Sequence, residues 1–236
     1  MDLKLTGRSV LITGASKGIG LGIAKWFAGE GVHPRLVARS ADLSDPAARR
    51  KVFETFPDVD IVVNNAGAIP GGTIEDVDEK AWRSGWDLKV YAHVDFTRLY
   101  LARMKARQRG VIINIIGAGG EKLTYGYIAG SAGNAALMAF TRAIGGTSPE
   151  FGVRVVGVNP GPVATERVEY LARQRAAKAG DESRWRESFK HMPFGRPATI
   201  DEIAAMVVFL ASDLSSYTSG TIVSVDGGLV HKGPLP

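Results

Sequence analysis

Apolar, β-rich runs alternate along the chain with segments whose apolar residues have helical spacing. The β-rich runs predict strands at residues 9–13, 36–38, 61–64, 111–116, 153–159 and 221–225. The helical spacing predicts helices at residues 18–30, 46–56, 78–108, 131–145 and 200–212. Strands that alternate with helices form βαβ units around a parallel sheet. The pattern therefore predicts an α/β protein, in which one doubly wound domain over residues 1–236 has a mostly parallel sheet flanked by helices.

The length and composition agree with one such domain and exclude several kinds of site. A chain of 236 residues with 45% apolar residues can bury one well-packed core. It contains no cysteine, which excludes a disulfide framework, a thiolate metal site and a cysteine nucleophile. Its four histidines are far apart in the sequence and lack the short spacings of metal ligands. We therefore expect no metal site.

The net charge of +5 raises the question of a nucleic-acid partner. Several basic residues lie within 103–109, just before Gly110, where cations complement the dipole at the end of a helix. Most others are scattered without the interleaved aromatic residues of single-strand binders. We therefore expect no nucleic-acid partner. The first residues run directly into an apolar strand and no apolar run approaches a membrane span, so we expect a cytoplasmic protein without membrane contact.

Four motifs lie at the ends of predicted strands. Residues 13–20 read Thr-Gly-Ala-Ser-Lys-Gly-Ile-Gly, a glycine-rich turn before a helix whose free N–H groups suit a pyrophosphate. Residues 64–67 read Asn-Asn-Ala-Gly, and residues 159–165 and 225–228 form two further loops. Over nearly the whole chain these motifs resemble the short-chain dehydrogenase/reductase family. The resemblance implies a Rossmann domain that binds a nicotinamide dinucleotide and assembles as a homotetramer or homodimer, built partly on the helix at 78–108.

The resemblance also implies the residues that contact the cofactor. They are Gly14, Ser16, Lys17, Gly18, Ile19, Gly20, Arg39, Asp42, Leu43, Asn65, Ala66, Gly67, Asn134, Pro160, Gly161, Val163 and Thr165. Asn64 is expected to satisfy backbone groups of the sheet. Where an acidic residue would bind the ribose of NAD, the chain has Ala38, followed by Arg39. With Lys17 in the glycine-rich turn, this favours NADP(H), with NAD(H) as the alternative.

The connection after the second predicted strand is unusually short. Residues 41–45 resemble the family's third strand and the aspartate at its end, yet only two residues separate them from the strand at 36–38. Parallel neighbours need a crossover of roughly a dozen residues or more, usually a helix. Either the crossover helix has been lost and this sheet edge rewired, or residues are missing from the sequence. We favour missing residues, because the flanking segments fit the family pattern.

The four positions of the family's catalytic set are all replaced. The family uses asparagine, serine, tyrosine and lysine, the last two as Y-x-x-x-K at the start of a helix. When the chain is aligned on the helix body at residues 135–142, Asn134 stands at the lysine, Gly130 at the tyrosine and Gly117 at the serine. On the preceding helix, Lys89 stands at the asparagine. The usual proton transfer therefore cannot run unchanged.

We expect that the catalytic charge has moved rather than been lost. Lys89 would point into the same pocket, while Asn134 keeps a hydrogen bond to the cofactor ribose. Tyr127 lies three residues before Gly130 and shares its helix face, so its ring could fill the space of the missing tyrosine. Ser131 would orient the substrate.

Two other candidates and a second alignment remain. Tyr125 is a weaker substitute for the tyrosine, and Glu121 is an alternative to Ser131 in orienting the substrate. A second register places Tyr127 at the tyrosine and Ser131 at the lysine. Tyr127 is the candidate acid/base in both registers.

Residues 166–195 correspond to the segment that covers the substrate in the family, and we expect a lid there. Its candidate pocket residues are Tyr170, Trp185, Phe189, Met192 and Phe194, with Arg167 or His191 for a polar group. An apolar or ring-bearing alcohol or carbonyl compound fits this set. Two other functions stay open: a dinucleotide-binding pseudoenzyme that acts as a sensor or structural subunit, and a non-redox enzyme on the same fold.

Overall fold

The computed structural model describes residues 2–37 and 41–233, and its elements follow the predicted order. The strands are β1 (Ser9–Thr13), β2 (His33–Val37), β3 (Ile61–Asn64), β4 (Gly110–Ile115), β5 (Val153–Pro160) and β6 (Ile222–Val225). The helices are α1 (Gly18–Gly29), α2 (Pro46–Thr55), α3 (Glu79–Trp86), α4 (Ala92–Ala106), α5 (Ile128–Thr147), α6 (Glu166–Lys178) and α7 (Ile200–Ala211). A π-helical turn, Asp87–Tyr91, joins α3 to α4.

In the described part of the chain the strands form one parallel sheet in the order β2-β1-β3-β4-β5-β6. Side chains alternate between its faces: Val10 and Ile12 pack with α1 and α7, whereas Leu11 packs with α2 and α4. Helix α5 covers β5 on the α4 side, where Gly145 lies against the carbonyl of Val155. Helices on both faces of a parallel sheet confirm the predicted doubly wound fold.

Residues 41–45, which resemble the family's third strand, do not form a strand. Residues 41–45 form a turn, and the side chain of Asp45 caps α2 by accepting a hydrogen bond from the backbone N–H of Ala47 at 2.9 Å. Proline at the first position of α2 reinforces that start. The chain therefore passes from edge strand β2 through α2 directly to β3, on the other side of β1.

The helix predicted at 78–108 is interrupted, and another starts earlier than expected. The π-helical turn inserts one extra residue into the hydrogen-bonding pattern at Lys89, and such turns are frequent at functional sites. Helix α5 begins at Ile128 rather than near Ser131. Among the residues described, no helix combines the length and apolar character that a membrane crossing requires.

Candidate active site

A cleft of about 1170 Å³ opens at the carboxyl ends of β1, β3, β4 and β5, where ligands bind in sheets of this kind. Most of the predicted cofactor residues line it: Gly14, Ser16, Lys17, Gly18, Ile19, Gly20, Leu43, Asn65, Ala66, Gly67, Pro160, Gly161 and Thr165. The cleft also contains Lys89, Gly117 and lid residues of α6.

The glycine-rich turn after β1 is shaped by close backbone approaches. Gly14 has a φ of +66°, and a Cβ on it would lie 2.9 Å from Cα of Ala66. A Cβ on Gly20 would overlap the carbonyl oxygen of Gly14 and the amide of Asn65. Only glycine fits these positions without movement of the backbone.

The start of α1 is open to an anion. Lys17 is the N-cap residue and its side chain makes no capping hydrogen bond within the described residues. The first turn contains no acidic residue, so its N–H groups and the positive end of the helix dipole face the cleft uncompensated. Lys17 is exposed and adds a positive charge at the same place.

Asn65, rather than Asn64, satisfies backbone groups beside this turn. Its Nδ2 donates to the carbonyls of Thr13 at 3.0 Å and Gly14 at 3.2 Å. Asn64 instead donates to the side chains of Asn114 at 2.9 Å and Thr97 at 3.3 Å. The expected role of Asn64 is therefore corrected: it ties β3 to β4 and α4 through a buried side-chain network.

Three predicted cofactor residues do not line the cleft. Asp42 is exposed, and its carboxylate accepts hydrogen bonds from the N–H and hydroxyl of Ser44. Val163 is buried in the core that α1 and α7 share with the sheet. Asn134 lies behind the cleft wall, as described below. Arg39 and Ala38 lie outside the described residues.

Lys89 enters the cleft from the π-helical turn. Its aliphatic stem crosses Gly67 so closely that a Cβ there would lie 2.8 to 3.1 Å from three of its carbons. Its Nζ donates to the carbonyl of Ile116 at 2.6 Å, just beyond the end of β4. Burial lowers the pKa of the Lys89 ammonium to about 8. The pKa of the amine at the inner end of the cleft is therefore much closer to neutral pH than that of a free lysine.

The ring of Tyr127 lies where a side chain of residue 130 would begin. A Cβ on Gly130 would overlap Cζ, Cε1 and Cε2 of that ring. Tyr127 is the N-cap residue of α5, and its backbone pairs with Gly72. Burial raises the pKa of the Tyr127 phenol, while the positive charge of Arg167 acts in the opposite direction. Arg167 lines the cleft, whereas Tyr127 is not among the described residues that line it.

Asn134 is buried directly behind Gly117. A Cβ on Gly117 would lie 3.3 Å from Nδ2 of Asn134, and a Cβ on Gly119 would lie 3.4 Å from it. The Oδ1 of Asn134 has no hydrogen-bond partner among the described residues. A buried, unpaired amide oxygen costs free energy, and only small residues separate the amide from the cleft.

The other catalytic candidates are engaged elsewhere. The hydroxyl of Ser131 accepts a hydrogen bond from the N–H of Thr124 at 3.2 Å, and Ser131 does not line the cleft. Glu121 accepts a hydrogen bond from Asn159 at 3.0 Å. The hydroxyl of Tyr125 donates to the exposed carboxylate of Glu75 at 2.7 Å. The structure thus gives Ser131 a role in holding the loop before α5.

The predicted lid contributes some of its aromatic residues to the cleft. Trp185 and Phe189 line it, and the guanidinium groups of Arg173 and Arg186 both lie over the Trp185 ring. Met192 and Phe194 instead border a separate cavity of about 420 Å³ beside β6. The remaining lid candidates, Tyr170 and His191, are exposed and outside the cleft.

Comparison with known proteins gives the family. A family profile described as enoyl-(acyl carrier protein) reductase matches residues 37–230. The oxidoreductase UcpA of Salmonella typhimurium is 33% identical over 251 residues, which cover 95% of each chain. The chain belongs to the short-chain dehydrogenase/reductase family. It is an oxidoreductase of that type.

Solved structures of short-chain dehydrogenase/reductase proteins share the whole fold. L-sorbose reductase from Gluconobacter frateurii, complexed with NADPH and L-sorbose, is 30% identical with a TM-score of 0.90, covering 99% of this chain and 100% of that chain. A putative gluconate 5-dehydrogenase from Beutenbergia cavernae with bound NADP is 29% identical, with a TM-score of 0.86 and coverage of 98% and 100%.

The match to UcpA is longer than this chain of 236 residues. The relative therefore has residues for which this short-chain dehydrogenase/reductase has no counterpart.

The buried His93, beneath the short-chain dehydrogenase/reductase site, was not predicted from the sequence to be part of it. His93 lies one turn after Lys89, and its Nε2 is 3.3 Å from the carbonyl of Ile115. Burial and the neighbouring Lys89 charge lower its pKa to about 3. Its lone position in a helical pattern gave no signal, whereas Asn114 within an apolar strand could have indicated the network that it forms with Asn64 and Thr141.

Proposed function

We propose that the protein transfers a hydride between NADP(H) and an alcohol or carbonyl substrate through an altered proton-transfer set. Tyr127 is the acid/base, Lys89 supplies the positive charge and Asn134 binds the cofactor ribose. The observation that carries this proposal is the overlap between the Tyr127 ring and the position of a side chain at Gly130. The chain has a tyrosine ring in that space although the aligned position is glycine.

The cleft fits a dinucleotide at its phosphate end. Gly14 and Gly20 form a cradle that any Cβ would obstruct, and the open start of α1 suits a pyrophosphate. For NADP(H) over NAD(H), the support is Lys17 at that turn, the missing acidic residue after β2, and the NADPH and NADP bound to the two structural neighbours. NAD(H) is the alternative cofactor.

At the other end, the side chains suit proton transfer. The cofactor, when bound, supplies or accepts the hydride. During reduction the Tyr127 hydroxyl would donate its proton to the carbonyl oxygen, and during oxidation the phenolate would take it back. Because burial raises the pKa of Tyr127, nearby positive charge is needed to stabilise the phenolate. Lys89 and Arg167 both line the cleft.

The buried Oδ1 of Asn134 has no hydrogen-bond partner among the described residues. Neither Tyr127 nor Lys89 has such an unpaired buried atom in that part of the chain. A ribose hydroxyl could donate to Oδ1 of Asn134 if the wall at Gly117 and Gly119 yields slightly. This role needs no charge, which agrees with an amide at the aligned lysine position. The proposal also includes a substrate lid over residues 166–195 and assembly as a homotetramer or homodimer. It further includes a small-molecule substrate and no nucleic-acid partner.

The substrate proposal rests on the lid and on the neighbours. Trp185 and Phe189 give the cleft an aromatic wall, which suits a ring-bearing or otherwise apolar carbonyl compound. The names of the structural neighbours refer to L-sorbose and gluconate. A screen should therefore contain both cyclic ketones and keto sugars.

One observation favours a second candidate, a dinucleotide-binding protein that performs no chemistry. The Nζ of Lys89 is already held by the carbonyl of Ile116, and Ser131 is bound to the loop before α5. With those groups fixed, the cleft could bind the cofactor and act as a sensor or structural subunit.

Two measurements separate these candidates. Calorimetric titration should show tighter binding of NADPH than of NADH. Isotope exchange between labelled NADPH and a carbonyl substrate should then be slowed about 10²- to 10⁴-fold by Tyr127→Phe, the usual contribution of a general acid, with NADPH affinity unchanged. Tyr125→Phe is the matched control. If the unaltered protein binds NADPH but shows no isotope exchange with any compound of the screen, the hypothesis of a sensor or structural subunit is favoured.

A further inference from the structure

A second cavity, of about 250 Å³, lies at the amino-terminal edge of the sheet, opposite the cofactor cleft. Its wall comes from the residue before β1, the start of β4, the start of β5 and the loop after α7. The charged and hydroxyl side chains that line it are Arg8, Asp60, Arg109, Arg154, Asp213 and Ser216. Three guanidinium groups thus face two carboxylates.

The ion pairs in this cavity leave part of the arginines' positive charge uncompensated. Arg8 pairs with Asp213 at 2.5 Å. The guanidinium of Arg154 donates to the backbone carbonyls of Leu210, Ser212 and Thr218, and within the described residues it has no carboxylate partner. The side chain of Arg109 makes no hydrogen bond or ion pair in the part of the chain that the structure describes.

The two carboxylates are accounted for as well. Asp60 accepts hydrogen bonds from the N–H and hydroxyl of Ser9 at 2.9 and 3.0 Å. These bonds, with Arg109 and Arg107 nearby, lower the pKa of Asp60 despite its partial burial. Asp213 has a lowered pKa because of Arg8 first, and Arg109 and Arg154 add to the effect. Both carboxylates are therefore charged at neutral pH, and the cavity keeps a surplus of one positive charge.

Like charges are also held close together here. Burial lowers the pKa of the Arg154 guanidinium, and the charge of Arg8 lowers it further, against the attraction of Asp213. Arginines that repel one another around a cavity are stabilised by an anion placed between them. Guanidinium groups present forked N–H donors that match the oxygen atoms of phosphate or carboxylate groups.

We propose that this cavity binds a phosphate group between Arg8, Arg109 and Arg154. Ser216, whose exposed hydroxyl also lines the cavity, would add a fourth donor. The bound anion would join the segments that precede β1 and β4 and the start of β5 to the loop after α7. Because such a ligand binds the folded state, it would stabilise the protein by RT ln(1 + [L]/Kd), which grows with the logarithm of its concentration once that exceeds Kd.

The experiment is thermal unfolding in sodium phosphate and in sodium chloride at equal ionic strength, with inorganic phosphate as the probe. NADPH at saturation keeps phosphate out of the cofactor cleft, and the measurement is repeated on Lys17→Ala for the same reason. We expect phosphate to raise Tm by about 2–4 °C, the shift that corresponds to roughly 1 kcal/mol in a chain of this size.

The variants assign that shift to the cavity. Arg109→Gln should abolish it, and the milder Ser216→Ala should reduce it. Among the described residues neither side chain makes a hydrogen bond or an ion pair, so both variants should fold. Arg142→Gln removes an exposed arginine on α5 and should leave the shift intact. The proposal fails if chloride gives the same Tm as phosphate, if Arg109→Gln retains the shift, or if Lys17→Ala abolishes it.

A final arm identifies the source of the phosphate. Glycerol 3-phosphate is compared with inorganic phosphate at the same concentration. A larger Tm shift with the ester supports a phosphorylated metabolite as the ligand, and a smaller one supports free phosphate. Neither result depends on the proposed hydride transfer, since no step of the test measures turnover.

Discussion

The two ends of the cofactor cleft differ in whether backbone or side chains form them. The phosphate end consists of backbone: glycines whose Cβ atoms would strike neighbouring carbonyls, and the open start of α1. The catalytic end that we propose consists of side chains, and our alignment with the family predicts that all four catalytic positions there are replaced. A backbone cradle allows no substitution because no other residue fits its spaces. A side-chain function can move to a neighbouring position whenever that position reaches the same space, as we propose for Tyr127, whose ring overlaps the position of a Cβ at Gly130.

The comparison predicts that the catalytic end can be disabled without harm to the phosphate end. In Gly130→Ala, the new Cβ must displace the Tyr127 ring, because it overlaps three ring atoms. We expect the rate of hydride transfer to fall about 10²- to 10⁴-fold, the contribution of a positioned general acid. The Kd for NADPH should stay within about twofold. Initial rates and calorimetric titration measure the two effects.

Gly126→Ala is the control, since a Cβ at that position meets no atom within 4 Å. It should leave both the rate and the Kd unchanged. A Gly130→Ala variant with normal turnover would show that the position of the Tyr127 ring does not matter to the chemistry.

The reverse change disables the phosphate end. In Gly20→Ala the Cβ would overlap the carbonyl oxygen of Gly14, a backbone atom that cannot turn aside. Overpacking of this kind costs about 1–3 kcal/mol, so we expect the Kd for NADPH to rise about 10- to 100-fold. Fluorescence or calorimetric titration provides the measurement.

Gly29→Ala is the matched variant at the other end of α1, where a Cβ would meet open space. Its Kd should equal that of the unaltered protein. If Gly20→Ala bound NADPH normally, the cradle would be wider than its geometry implies, and the phosphate end would lose its assignment.

The same difference decides how much could be predicted from the sequence. Strands β1 and β3 have the predicted bounds, because apolar runs that end in turn motifs define buried parallel strands. The glycine-rich turn between β1 and α1 also lies where the sequence predicts it. The resemblance of residues 41–45 to the family's third strand did not predict their structure, because a turn and the helix cap at Asp45 use the same residues. Propensity alone does not reveal that neither a partner strand nor a crossover helix is available.

At the site, sequence spacing identified which residues come together but not which way they point. The three-residue separation of Tyr127 and Gly130 correctly implied shared space, although Tyr127 caps the helix rather than lying within it. Asn65, rather than Asn64, satisfies the backbone groups beside the turn, because alternation along a strand end does not tell which amide faces them. Val163 follows a loop that turns into the core, and loop course depends on tertiary packing.

The smallest expected effect concerns stability and the cost of placing Lys89 in the cleft. Its pKa in the folded protein is about 8, against 10.5 for a free lysine. Below pH 8 the folded and unfolded states are both protonated, so the full penalty for burying the charge is present. It declines as pH rises from 8, and above 10.5 it vanishes. Lys89→Met should therefore raise the free energy of unfolding at pH 7 by about 1–3 kcal/mol, after allowance for solvent in the open cleft.

Denaturant titrations at pH 7 and pH 10 test this directly, because the gain from Lys89→Met should shrink at the higher pH. Lys51→Met on the exposed face of α2 serves as the control, and its effect should not depend on pH. A residue whose removal stabilises the fold while slowing hydride transfer is retained for chemistry. A destabilised Lys89→Met variant would instead mean that the bond from Nζ to Ile116 outweighs the burial of the charge, and that Lys89 holds the end of β4 rather than serving the substrate.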